Sequence, residues 1–240
     1  VRTARLLVDC GLGLKQLALR LAEAVPSEAA PVDAIFITHE HSDHIGCTRQ
    51  FAQRHRIPVW MSRGTHEALG SPDFDGLLNI AADGQSIDLG ELQFTPFTVP
   101  HDAREPLQMS CTDGNAKLGV LTDLGHATAH VLAHLAGCHA LLLECNHDTD
   151  LLAQSSYPAF LKKRVGGRYG HLSNAAAVEI SEALAHAGLK HVVAAHLSAQ
   201  NNSPSLALEA LHNQAARLWG GPELSVAHPT TGTRWIQVNA

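Results

Sequence analysis

The stretch from Ile37 to Gly46, ITHEHSDHIG, constrains this 240-residue chain more than any other. Three histidines, one glutamate and one aspartate fall within six residues, directly after an apolar run that ends at Ile37. Burying so many polar groups without partners would cost folding free energy, and a surface loop has no structural need of them. Imidazole and carboxylate together suit zinc, with manganese or iron as alternatives. We therefore interpret the stretch as a metal-binding loop.

The spacing inside this loop predicts more than one metal ion. His39 and His41 lie on the same side of an extended strand end, because side chains alternate along a strand. Asp43 and His44 follow where the chain turns into a helix, so they approach the same concavity from another direction. Four ligands so close in sequence cannot all reach one ion comfortably. The loop therefore indicates two metal centres.

Three further polar side chains come at the ends of apolar stretches. They are His101 in TVPHDA, Asp123 in VLTDLGH and His196 in AAHLSAQNN. Sheets of α/β proteins place their sites at strand ends, so these residues are expected to converge on one edge. Each could instead be a turn or capping residue. For His101 or His196 taken singly that alternative is favoured, since the chain has 17 histidines.

Strand-like and helix-like segments alternate towards both ends of the chain, and an antiparallel region lies between them. The pattern predicts a helix from near Ser42 past Phe51, antiparallel strands between Gln85 and Asp123, and strands at Ala140–Glu144, His191–Ala195 and Trp235–Val238. This mixture predicts an α/β fold with two packed sheets covered by helices on both outer faces. We expect a single domain, residues 1–240, made of two pseudo-symmetric halves that meet near residue 125.

Composition excludes several classes of protein. No segment is long and apolar enough to span a bilayer, so we expect no membrane association. The net charge of −6 and pI near 6.3 argue against a surface coated with positive charge, although a local basic patch is still compatible with them. The five cysteines stand far apart and are odd in number, which indicates free thiols and a cytoplasmic location.

The polar motifs resemble those of a known fold. THEHSDHIG resembles the H-x-H-x-D-H signature of the metallo-β-lactamase fold, and His101, the TDLG motif and His196 follow in that family's order. LLVDCG resembles the family's early strand, whose aspartate, here Asp9, supports the metal loop. The resemblance covers nearly the whole chain and implies a four-layer αββα sandwich.

Three later motifs narrow the resemblance. LLLECNHD, KRVGGRYGHLSN and AHLSAQNNSP are similar to segments of the bacterial YycJ- and WalJ-like phosphodiesterases, relatives of ribonuclease Z and the ribonuclease J group. Those relatives usually begin with one more strand and a loop similar to GSGS-x-GN. We therefore expect this chain to lack the usual first N-terminal strand.

The family pattern implies two divalent metal ions, with zinc favoured over manganese or iron. The first ion would be held by His39, His41 and His101. The second would be held by Asp43, His44 and His196, and Asp123 would bridge the two. The attacking group would be a metal-bound hydroxide, which Asp43 would orient or deprotonate as a catalytic residue.

A leaving alkoxide also needs a proton. In ribonuclease Z-like enzymes a histidine of a GHS-type motif, backed by a glutamate, is thought to supply it. Here GHLSN offers His171 as the acid and LLECNHD offers Glu144 as its orienting carboxylate. The alternative is that His171 caps the following helix and Glu144 pairs with an arginine.

A basic cluster precedes His171. Lys163, Arg164 and Arg168 are predicted to bind substrate phosphate, because arginine can grip phosphate oxygens with two hydrogen bonds. A solvated helix face is the alternative.

Together these observations favour a dinuclear metal-dependent hydrolase that acts as a phosphodiesterase or nuclease. The resemblance to the YycJ- and WalJ-like proteins implies 5′-exonuclease action on DNA. The substrate would be DNA, RNA or a small phosphodiester. One alternative is a glyoxalase II-like thioester or lactone hydrolase, which would need neither the basic cluster nor His171. Another is a metal-binding sensor without turnover. The oligomeric state is left open, with a homodimer as one option.

Overall fold

The computed structural model describes residues 4–24, 32–215 and 221–240. The chain divides into two compact units, Val1–Thr98 with Ala103–Leu107 and Val99–Asp102 with Gln108–Ala240. Among the helices of the described ranges, none combines the length and the apolar character needed to cross a bilayer. The predicted pair of sheets is confirmed, whereas the pseudo-symmetry of two halves stays a prediction.

The first unit is built on short strands joined by helices. Its elements are β1 (Leu6–Val8), α1 (Leu14–Ala24), β2 (Ala34–Phe36), α2 (Ser42–Ile45), α3 (Thr48–His55), β3 (Val59–Met61), α4 (Arg63–Ala68), β4 (Leu78–Ile80), β5 (Ile87–Asp88) and β6 (Gln93–Thr98). Strands β1 to β4 form a parallel sheet in chain order. Strands β5 and β6 pair in the antiparallel sense.

Burial of the apolar strand β2 organises this unit. Its residue Ile35 is fully buried, and Leu17 of α1 and Phe51 of α3 belong to the same core. Burial of one such large apolar side chain stabilises the fold by about 1.5–3 kcal/mol. The core thereby fixes the strand end from which Thr38 and His39 emerge.

The second unit carries the remaining elements, except that Leu107, the first residue of β7, belongs to the first unit. They are β7 (Leu107–Thr112), β8 (Lys117–Leu121), α5 (Ala129–Leu135), β9 (Ala140–Glu144), α6 (Thr149–Gln154), α7 (Ala159–Val165), α8 (Asn174–Ala183), β10 (His191–Ala195), α9 (Pro204–Ala215) and β11 (Glu223–Val226). Its strands lie in the order β11-β10-β9-β8-β7, parallel throughout except for β7, which runs antiparallel to β8. Strands β9 and β10 have the predicted bounds.

The predicted helix from Ser42 past Phe51 is wrong in one respect, because it is broken between α2 and α3. Gly46 has a φ of +32°, and a Cβ atom there would lie 2.4 Å from the carbonyl oxygen of Cys10. The amide of Cys47 donates to that same oxygen at 3.1 Å instead of continuing the helix. The break lets the metal-binding loop pack against the loop that follows β1.

The strand predicted at Trp235–Val238 is also wrong. The structure assigns no strand there, and Trp235 is 78% exposed. Alternation of apolar and polar residues makes a strand only when a neighbouring strand and a buried face are available. Sequence reasoning also passed over the short helices α4, α6 and α7.

Candidate metal centre

The register of the second sheet brings three strand ends to one edge. Leu121 at the end of β8 pairs with Leu143 of β9, and Ala195 at the end of β10 pairs with Glu144. Asp123 and His196 follow those strands within two residues. Because the carboxyl ends of parallel strands meet at one edge, Asp123 and His196 are neighbours, as their strand-end positions predict. Glu144, the last residue of β9, lies beside them.

Glu144 binds two histidines and two backbone amides at this edge of the sheet. Its carboxylate is fully buried, and its Oε1 accepts hydrogen bonds from Nδ1 of His171 and Nδ1 of His196, both at 2.8 Å. Its Oε2 accepts the amides of Leu124 at 3.2 Å and Leu172 at 3.1 Å. Burial pushes the pKa of Glu144 up, but the bonds from the two histidines outweigh it and hold the pKa below its ordinary value. Both oxygens are therefore used within the protein, which suits a positioning carboxylate better than a metal ligand.

This arrangement fixes the tautomers of two imidazoles. An ionised carboxylate can only accept, so His171 and His196 each carry a proton on Nδ1 and a lone pair on Nε2. Metal-binding histidines in proteins are held in the same way by a carboxylate or a carbonyl oxygen. His196 is thus prepared to bind a metal through Nε2, and the contact with Glu144 fixes the orientation of the His171 ring.

His101 is anchored by a backbone carbonyl. Its Nδ1 donates to the oxygen of Gly170 at 3.1 Å, which leaves the lone pair on Nε2, 3.9 Å from Oδ1 of Asp123. Burial lowers the pKa of His101 and favours the neutral ring that a metal ligand must be. The neighbouring Asp102 accepts from Nε of Arg164 at 2.5 Å.

Asp123 lies among three of these rings. Its side chain is 2% exposed, and its Oδ1 is 3.5 Å from Nδ1 of His196 and 3.7 Å from Nδ1 of His171. Asp123 and His196 both adopt left-handed backbone conformations, with φ of +53° and +56°. Such conformations are uncommon for residues other than glycine and concentrate at functional sites.

The metal-binding loop of the first unit shows the same chemistry. Nε2 of His39 lies 2.9 Å from Nδ1 of His41, so two imidazole nitrogens meet and must share a proton or a cation. Nδ1 of His39 is 3.0 Å from the hydroxyl of Thr38. Asp43 has an exposed side chain, with Oδ2 3.6 Å from Nε2 of His44.

Asp9 holds this loop from behind. Its Oδ2 accepts from Nδ1 of His44 at 2.7 Å, and its two oxygens accept the hydroxyl of Thr38 at 3.0 and 3.1 Å. Asp9 also has a left-handed backbone, with φ of +60°. Gly11 allows the close approach, since a Cβ atom there would meet the carbonyl oxygen of Asp43 at 1.6 Å. Asp9 therefore fixes the His44 ring and the loop without itself having to bind a metal.

The donor set fits divalent cations. In the second unit Asp123 and His196 offer ligand atoms within 4.8 Å of each other. In both units imidazoles are anchored through Nδ1 to protein oxygens: His39, His44, His101 and His196. Neutral imidazole with buried carboxylate is chemistry that favours zinc and admits manganese or iron.

Sequence reasoning missed three supporting groups. They are the hydroxyl of Thr38, the carbonyl of Gly170 and the amide of Asn146, whose Nδ2 donates to the carbonyl of His196 at 3.0 Å. Thr38 directly precedes the H-x-H motif and could have been found by its position. A backbone carbonyl leaves no signal in a sequence.

Two residues of the basic stretch bond to other groups of the protein, and two have exposed side chains. Arg164 is paired with Asp102, and this bond raises the pKa of the guanidinium. Lys162, its neighbour, donates to the carbonyl of Ala153 at 2.6 Å. Lys163 and Arg168 have exposed side chains. These last two are the cations best placed to meet an external anion.

The sequence of the chain is similar to a known domain family and to two bacterial exodeoxyribonucleases. Residues 4–197 match the model of the β-lactamase superfamily domain. The chain is 32% identical over 208 residues to exodeoxyribonuclease YycJ of Bacillus anthracis, covering 85% of this chain and 78% of that protein. It is 31% identical over 218 residues to exodeoxyribonuclease WalJ of Streptococcus pneumoniae, covering 89% and 81%.

A solved structure shows the same fold. The metallo-β-lactamase fold protein YhfI from Bacillus subtilis superposes with a TM-score of 0.72 at 20% identity, covering 96% of this chain and 87% of that one. The predicted metallo-β-lactamase fold is therefore confirmed.

Proposed function

Because the chain belongs to the β-lactamase superfamily, together with the YycJ and WalJ exodeoxyribonucleases, we propose that it is an exonuclease that removes nucleotides from the 5′ end of DNA. Its membership already makes it a metal-dependent hydrolase of the phosphodiesterase class. The observation that favours a phosphodiester over other esters is the hydrogen bond of 2.8 Å between Glu144 and His171. It supplies a proton donor that the cleavage of a phosphodiester needs.

We propose two divalent ions, preferably zinc, with the ligands predicted from the sequence motifs. These ligands are His39, His41, Asp43, His44, His101, Asp123 and His196. When bound, the ions make water a nucleophile near neutral pH and offset charge on the phosphate. The anchored imidazoles support this assignment, because their tautomers are already those of metal ligands.

The side chains of the protein supply the remaining chemistry. Asp43 accepts a proton from the attacking water. His171 gives the proton on its Nε2 to the leaving oxygen, and Glu144 keeps that ring oriented through Nδ1. An alkoxide is a poor leaving group unless it is protonated, whereas the thiolate released from a thioester is stable by itself. A thioesterase would therefore have no use for His171 as an acid.

The proposal is tested by metal analysis together with digestion of labelled DNA. The purified, metal-loaded protein is expected to release mononucleotides from 5′-labelled DNA and to hydrolyse bis-p-nitrophenyl phosphate. Hydrolysis of a thioester or lactone in preference to both phosphodiesters would overturn the proposal. Full metal content without hydrolysis of any ester would favour a sensor instead.

We propose that Lys163 and Arg168 bind the phosphates of the substrate. Reversing either charge, by Lys163→Glu or Arg168→Glu, should weaken DNA binding and reduce the slope of log K against log salt by roughly 0.7–0.9 per lost contact. Binding isotherms over a salt series measure this slope. Arg63→Glu is the matched control, since Arg63 is exposed and lies in the other unit. An unchanged slope in both test variants would contradict the assignment.

We also propose a cytoplasmic location. The DNA substrate supports it, and all five cysteines are free thiols, as expected in a reducing compartment.

A further inference from the structure

Two aromatic side chains of the second unit stand in solvent. Phe160 is 74% exposed and Tyr169 is 59% exposed. Both lie in one segment, 159–170, that comprises α7 and the loop leading to His171. Aromatic side chains are enriched at surfaces that contact another molecule.

Packing does not explain these side chains. None of the seven residues of α7 is fully buried. Leu161 and Val165 are half-buried on one side of the helix, whereas Phe160 is exposed. Two polar contacts also hold the helix, Lys162 to the carbonyl of Ala153 and Arg164 to Asp102. The loop is tied to the helix by the amide of His171, which donates to the carbonyl of Val165 at 2.8 Å. The segment is therefore positioned firmly while its aromatic rings remain outside.

The charges of the same segment select an anionic partner. Lys163 and Arg168 lie between the two aromatic residues in sequence, and both are exposed. They form a basic segment in a chain whose net charge is −6. Alternation of cations with exposed aromatic rings is the composition of surfaces that bind single-stranded nucleic acid, where bases stack and phosphates pair with cations.

The segment also leads directly to the proposed acid. Tyr169 precedes His171 by two residues, and the carbonyl of Gly170 between them holds Nδ1 of His101. A strand bound along this segment would therefore be held next to residues of the proposed chemistry.

We propose that Phe160, Lys163, Arg168 and Tyr169 form an aromatic–basic platform that binds an unpaired single strand of DNA by stacking its bases. The inference rests on the proposed function and adds a preference for unpaired ends over the intact duplex. Duplex bases are already stacked on each other and cannot use the rings. The duplex should therefore gain only from Lys163 and Arg168.

Binding of phosphorothioate-linked oligo(dT), which resists hydrolysis, to the metal-loaded protein tests the platform. Phe160→Ala and Tyr169→Ala should each raise the Kd for oligo(dT) by roughly five- to a hundred-fold, the range expected for loss of one stacked base. The Kd for a blunt duplex should change by less than about twofold, because its phosphate contacts remain. Trp235→Ala is the matched control, since Trp235 is an exposed aromatic residue outside the platform.

Two more measurements separate stacking from a structural effect. Tyr169→Phe should keep the affinity of the wild type, because the ring is retained. The salt slope should stay unchanged in Phe160→Ala and Tyr169→Ala, whereas it falls in the charge reversals.

Three results would overturn the inference. The first is unchanged oligo(dT) affinity in both alanine variants, and the second is a loss of duplex binding equal to the loss of oligo(dT) binding. The third is dissociation of an oligomer into monomers on substitution of Phe160, which would make the platform a contact between two copies of this chain. Hydrolysis of bis-p-nitrophenyl phosphate separates the two levels of the proposal. If the wild type cleaves neither that ester nor DNA, the proposed function is wrong. If it cleaves both, but the Kd for oligo(dT) is the same in Phe160→Ala and Tyr169→Ala as in the wild type, only the platform is wrong.

Discussion

Asp123→Asn is expected to abolish most of the turnover, by roughly 10³-fold or more, together with a loss of bound metal. Asp123 is the proposed bridge between the two ions, and an amide carries no charge with which to hold them. The substitution is conservative in every other respect, because asparagine has nearly the same shape and tolerates the left-handed backbone found at this position, with φ of +53°. The loss should therefore come from the metal site and not from the fold.

The measurement is metal content per protein molecule alongside kcat on DNA, with thermal unfolding as the check of the fold. Asp75→Asn is the matched control, since Asp75 is exposed and has a similar φ of +54°. It should leave both metal content and turnover at wild-type values. An Asp123→Asn protein that retains its metal and its rate would remove Asp123 from the ligand set.

His171→Ala is expected to lower kcat on DNA by roughly 10²–10⁴-fold while metal content stays at the wild-type level. The reason is that the alkoxide leaving group would depart without its proton. The p-nitrophenolate released from bis-p-nitrophenyl phosphate is a stable anion, so hydrolysis of that ester should fall by less than about tenfold. Added imidazole should restore part of the activity on DNA, because it can occupy the space of the missing ring.

The dependence on the leaving group distinguishes an acid from a ligand. Equal losses on both substrates, accompanied by loss of metal, would reassign His171 as a metal ligand, a role that its position among Asp123, Glu144 and His196 also permits chemically. His212→Ala serves as the matched control, since His212 is an exposed histidine on α9. It should change neither rate nor metal content.

The sequence predicted the parts of the fold that depend on strongly apolar runs. Strands β9 and β10 have the expected bounds because Leu141–Leu143 and Val192–Val193 are apolar runs enclosed by neighbouring strands. The broken helix at Gly46 was missed because its cause is a distant backbone, the carbonyl of Cys10. The strand expected at Trp235 was wrong because periodicity does not say whether a partner exists.

The sequence also predicted part of the candidate site. The neighbourhood of His101, Asp123 and His196 followed from strand ends, and the pairing of Glu144 with His171 followed from the motif resemblance. That Glu144 also orients His196 could not be predicted, since it depends on which oxygen each ring reaches. The contact of His101 with the carbonyl of Gly170 could not be predicted from the sequence, because every residue has a backbone carbonyl and nothing in the sequence distinguishes this one.

Three residues of the proposed site have left-handed backbone conformations: Asp9, Asp123 and His196. Substitutions that relieve these conformations should raise thermal stability but lower turnover. Each such conformation costs on the order of 1–3 kcal/mol in a residue other than glycine. A library selected only for survival at high temperature should therefore accumulate glycine at these three positions and lose activity as its thermal stability rises. Stabilisation of this scaffold for use as a catalyst has to be sought elsewhere in the chain.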